Sequence, residues 1–173
     1  MLPEPHTTLE KLAKHERGIR VDFYWLGDRF GHTISALRDG EATIVWQSVD
    51  DDELGPVYQE LHVQSTDDGR TIVFLSGASA GAHWSASVEF ATAKCELLFD
   101  VAARVAKEPV ERAIEYHCEF EGAAPIACAH FMDGSGVCID QSAPGNRIPP
   151  SESFDSLPAT LRYKYATYWL PVE

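Results

Sequence analysis

From Ile19 onward apolar and polar residues alternate one for one, and no other feature of the chain restricts its fold so tightly. Ile19, Val21, Phe23 and Trp25 fall on one side of an extended backbone, with Arg20, Asp22 and Tyr24 on the other. The pattern returns over Ala42–Gln47, where Ala42, Ile44 and Trp46 oppose Thr43, Val45 and Gln47. It returns again over Val57–Gln64 and over Ala82–Phe90, where Trp84, Ala86, Val88 and Phe90 oppose His83, Ser85, Ser87 and Glu89. Leu97, Phe99, Val101 and Val105 continue it, as do Ile114, Tyr116, Cys118 and Phe120. Runs of this kind at roughly 10–15-residue spacing, parted by Gly27-Asp28, Asp39-Gly40 and Asp68-Gly69, read as hairpin-linked strands. Connections this short imply antiparallel pairing. The expected fold is an antiparallel β-sandwich of about 8–10 strands, with a closed β-barrel as the alternative.

The expected organisation is one domain over residues 1–173. Thr7 and Glu10 have the spacing of a capping box, and Leu9, Leu12 and Ala13 follow at helical spacing. A short N-terminal helix is therefore expected over residues 7–17, ahead of antiparallel strands over 18–142. Pro144, Pro149, Pro150 and Pro158 mark residues 143–158 as an irregular loop. A closing strand over 159–171 has Leu161, Tyr163, Tyr165 and Trp169 on one face.

With 27 acidic and 14 basic residues the net charge is −13. Such a chain repels phosphate backbones and anionic headgroups, so neither nucleic acid nor a membrane is an expected partner. The first residues lack the apolar core of a signal peptide, and no apolar run approaches the length of a membrane span. A cytoplasmic location is expected. Cys95, Cys118, Cys128 and Cys138 form no CxxC pair and are read as reduced.

Several groupings could carry chemistry. Glu60 and His62 share a strand face; so do His83 and Glu89, and Glu115, His117 and Glu119. These seven residues are the candidate ligand-binding set. Convergence of His62, His83 and His117 would allow metal binding or acid–base chemistry; without it they are solvated positions on a wet face. His117, Cys118, Cys128, His130 and Cys138 are zinc-type ligands, but His117 and Cys118 point to opposite faces. Gly77-Ala78-Ser79-Ala80-Gly81 matches G-x-S-x-G, yet a strand follows it where a nucleophile elbow needs a helix. Asp50–Glu53 reads as a solvated acidic turn, lacking the spaced ligands and glycine of a calcium loop. Trp25, Trp46 and Trp84 align with the apolar faces, whereas Tyr24, Tyr58 and Tyr168 align with the polar ones.

The expected function is a module that binds a small polar molecule, carbohydrate being one candidate class. An enzyme using these His and Glu residues, with or without metal, is the second reading; the third is a protein–protein interaction domain that works through a sheet edge or the Pro-rich loop, self-association as a homodimer included. No catalytic residue, metal or cofactor is assigned.

Overall fold

A computed structural model describes residues 1–50, 54–79, 81–107, 112–121, 124–132, 135–138, 145–151 and 156–170; of 130–132, 135–138 and 145–146 it describes the backbone. Thirteen strands lie among the described residues. They are β1 (Thr7–Leu12), β2 (Arg17–Trp25), β3 (Phe30–Arg38), β4 (Glu41–Ser48), β5 (Glu60–Ser65), β6 (Thr71–Ser79) and β7 (Ala82–Phe90). β8 (Glu96–Val105), β9 (Ile114–Cys118), β10 (Ile126–Met132), β11 (Ser135–Cys138), β12 (Gly145–Ile148) and β13 (Ala159–Trp169) complete the set. They form two sheets, ordered β1-β2-β3-β4-β9-β12 and β11-β10-β13-β8-β7-β6-β5. Every pairing is antiparallel and the sheets do not close into a barrel. The fold is a β-sandwich.

The alternation read from sequence is the device that builds the core. Ile19, Val21 and Phe23 of β2 face Val88 of β7, Phe99 of β8 and Tyr165 of β13 within one buried cluster. Trp84 packs 5.9 Å from Tyr163, and Phe99 stacks on Tyr165 at 4.6 Å. Asp39 and Gly40 both have positive φ, 53° and 84°, the requirement of a two-residue hairpin turn between β3 and β4. β13 follows every other strand in sequence, yet it lies between β8 and β10.

Four expectations are corrected. Residues 7–12 form strand β1 rather than a helix, followed by a single 3₁₀ turn at Lys14–Glu16. Leu9 enters the core beside Val21, Leu12 stays exposed, and Thr8 Oγ1 donates to Asp22 Oδ1 at 2.5 Å. Extending an existing sheet outweighs the local capping signal, because a helix this short is marginal by itself. Second, the Pro-rich stretch contains β12, which pairs with β9 and ends before Pro149-Pro150. That is an edge position, where a following proline costs no ladder bond.

Third, strict alternation fails in β4. A bulge opposite Ile34/Ser35 lets Val45 and Trp46 both enter the core. Fourth, Trp25 is 41 % exposed at the end of β2, whereas Tyr24 and Tyr58 are buried. Tyr24 OH lies 3.3 Å from Thr33 Oγ1, so its polar end is satisfied under cover. The count also exceeds expectation, because β1 and the short β11 and β12 carry little apolar pattern of their own. No helix among the described residues is long and apolar enough to cross a membrane.

Candidate functional site

β4 and β5 lie in different sheets, and described residues at both ends of the crossover between them line a cleft at the end of the sandwich. Two contacts tie this crossover down. Phe30 N donates to Tyr58 O at 2.7 Å on one side, and Gln59 N donates to Ser76 O at 2.8 Å on the other. The Gln59 side chain then clasps Ala78, accepting from its N–H at 3.0 Å and donating to its carbonyl at 3.5 Å. Val57 passes directly over Gly77, where a Cβ would overlap the Val57 carbonyl oxygen and come 2.8 Å from Gln59 N. Only glycine allows that approach.

The cleft has a volume of about 920 Å³. Gln47, Ser48, Gln59 and His117 line it with amide, hydroxyl and imidazole groups, and Leu26 and Val49 add apolar surface. Its charges are largely spent on one another. Arg29 donates from Nε and Nη2 to the two Asp28 carboxylate oxygens (3.0 and 2.8 Å), and from Nη1 to Asp50 O at 2.8 Å. The guanidinium holds the Asp28 carboxyl below its ordinary range. Ser48 Oγ accepts from His32 N at 2.9 Å and donates to Asp50 Oδ1 at 2.7 Å, and the Asp50 carboxylate lies against Gly31.

Beneath the cleft the core is polar. His32 Nε2 lies 2.7 Å from Tyr116 OH, which lies 2.8 Å from Tyr165 OH, all three buried. Burial lowers the His32 imidazole from 6.5 to about 4, and it pushes both tyrosines well above their usual range. A neutral ring can accept from Tyr116 while Tyr116 accepts from Tyr165, which satisfies the chain without charge. A void of about 20 Å³, bordered by His32, Ser48, Asp50 and Tyr165, adjoins it and has room for one water molecule.

The candidate His and Glu residues are not brought together. His62 and His83 lie on the outer face of one sheet, two strands and four residues apart through the register His62–Phe74–Ser87. Strand geometry then separates their Cα atoms by about 16 Å. His117 lies on the outer face of the other sheet, since its neighbour Tyr116 points inward. No shared metal shell can span these three positions. Glu60 accepts from Ser76 Oγ, Glu89 pairs with Arg70 at 2.8 Å, and Glu115 pairs with Arg147 at 3.6 Å. Glu119 is exposed at the end of β9. Of the seven, only His117 lines the cleft.

No group of His, Cys, Asp or Glu among the described residues could hold a metal ion. Cys128 is buried between the sheets, on the far side of β9 from His117; the side chains of His130 and Cys138 lie outside those described. Asp50 is engaged as above, and residues 51–53 lie outside the described part. No family model, curated protein or solved structure matches this chain.

Within G-x-S-x-G, β6 continues through Ser79 and β7 resumes at Ala82, so no helix follows. The Ser79 hydroxyl is buried with no hydrogen-bond partner among the described residues, and no base reaches it. The cleft residues missed by the sequence reading, Arg29, Gln47, Ser48 and Gln59, sit in turns or at strand ends. Alternation carries no information there. His32 did leave a signal: it interrupts the apolar series Phe30, Ile34, Ala36.

Proposed function

We propose that the protein is a binding module for a small uncharged polar molecule of the carbohydrate class, seated in the cleft at the end of the sandwich. The observation that carries this reading is the cleft of about 920 Å³ with amide, hydroxyl and imidazole groups around apolar patches. That size and mixture suit a mono- or disaccharide, which needs several donors and acceptors along an apolar ring face. Arg29 is neutralised by Asp28, so the lining offers little to an anion. Leu26 and Val49 supply the apolar surface against which a sugar's ring face would lie.

The test is titration of the ¹⁵N-labelled full chain with neutral mono- and disaccharides up to about 50 mM, the range for weak binding. Amide shifts are expected at residues 26–29, 47–50 and 57–59. Replacing Gln47 and His117 together by alanine removes two hydrogen-bonding groups and is expected to weaken binding about tenfold or more. Absence of shifts with every sugar, or shifts confined to other surfaces, would refute the reading.

A further inference from the structure

Four strands have a single neighbour among the described residues: β1 and β12 in one sheet, β11 and β5 in the other. An edge strand presents unpaired N–H and C=O groups, which proteins blunt with charge, proline or short length. β1 carries Glu10 and Lys11, and Lys11 Nζ is bonded across to the carbonyls of Ala91 and Thr92. β12 is four residues long, holds Arg147 and runs into Pro149-Pro150; β11 is also four residues long. β5 carries one charge, Glu60 at its first position, and is six residues long. Leu61–Ser65 contains no charge, proline or glycine, and its register on β6 runs from Glu60–Ser76 to Ser65–Thr71 without a bulge. Apolar surface flanks it on both sides, with Val63 41 % and Phe74 38 % exposed.

We infer that β5 is a self-association edge that pairs antiparallel with β5 of a second copy, joining two sheets into one. A two-fold axis through His62 sets Glu60 against Gln64 of the partner subunit and Leu61 against Val63 of the partner subunit. No carboxylate then opposes another, and each pair faces one side of the sheet. The strand thus meets itself polar to polar on one face and apolar to apolar on the other, with no opposed carboxylates. The rest of the two molecules repels, since each carries −13. Association is therefore weak at low salt and tightens as the Debye length shrinks from about 30 Å at 0.01 M to about 3 Å at 1 M. A contact built from ion pairs would respond in the opposite sense.

Sedimentation equilibrium of the full chain from about 10 μM to about 1 mM, at low and high salt, tests this. The weight-average mass is expected to climb from 19.1 kDa toward twice that value, and at lower concentration in high salt. Val63→Lys, which sets an ammonium group against Leu61 of the partner subunit, and separately Gln64→Glu, which sets a carboxylate against Glu60 of the partner subunit, are each expected to weaken the dimer at least tenfold. Leu12→Lys, on the β1 edge, is expected to leave it unchanged. Thermal unfolding of each variant shows that it is folded; if Val63→Lys is not, the exposed Gln64 position decides. A wild-type chain monomeric throughout overturns the proposal, as does a dimer indifferent to a folded Val63→Lys or Gln64→Glu variant. A monomer that takes up only an added extended peptide at β5 also overturns it, and assigns the edge to a foreign chain.

Discussion

Acidification from pH 7 to pH 4 is expected to cost the fold about 3 kcal/mol through His32 alone, the product of its pKa depression and about 1.4 kcal/mol per unit. In the folded protein the ring stays neutral until about pH 4, because burial between Phe23 and Phe99 withholds solvent from the charged form. In the unfolded chain it takes up a proton near 6.5, its ordinary value. Between those limits the unfolded state binds one proton more than the folded state, so stability falls as pH falls. The full contribution is present above 6.5 and the loss levels off below about 4. Denaturant unfolding of wild type and His32→Phe at intervals from pH 7 to 4 isolates it, because carboxylates elsewhere contribute alike to both chains. A His32→Phe profile as steep as that of wild type would contradict the assignment. The Tyr116–Tyr165 hydrogen bond does not involve His32, so the variant is expected to keep one of the two hydrogen bonds beneath the cleft.

Gly77→Ala is expected to cost about 3 kcal/mol, the upper range for overpacking, although it adds one methyl group to a half-buried site. The added carbon meets main-chain atoms of Val57 and Gln59, which cannot rotate away as a side chain would. The crossover must lift from β6 and release the Gln59–Ala78 clasp. Two readouts should move together: the unfolding midpoint, and the amide resonances of residues 57–59. Saccharide binding in the cleft should fall with them, since Val57 and Gln59 form one wall. A Gly77→Ala protein as stable as wild type would mean that the crossover does not press on β6.

The sandwich could be read from sequence because burial on one face imposes a period of two, and that signal is strong wherever both sheets meet. It weakens where strands stop facing the core. Residues 7–12 illustrate the limit: Leu9 is their one buried side chain, and Thr7, Glu10 and Leu12 spell a helix start as readily as an edge strand. Trp25 illustrates a second limit. Its parity is that of Phe23, but it is the last residue of β2 and is exposed, and parity cannot report where a core ends. Tyr24 and Tyr58 failed for the converse reason, since an outward or crossover tyrosine is buried when neighbouring segments cover it. The candidate site was legible at His117 alone. The remaining lining comes from the β2–β3 turn, the crossover after β4 and the ends of β4 and β6, and their proximity depends on how far the chain travels between sheets. No pairwise spacing in the sequence encodes that path.

The place of β13 bears on how the molecule can be made. Synthesis delivers β5–β8 and β10–β11 before the strand that parts them exists, so for a time the sheet is two fragments with facing raw borders on β8 and β10. Residues 159–169 supply the keystone, and a chain cut short ahead of them keeps both borders bare. Such fragments should stick to one another instead of behaving as a smaller version of the protein.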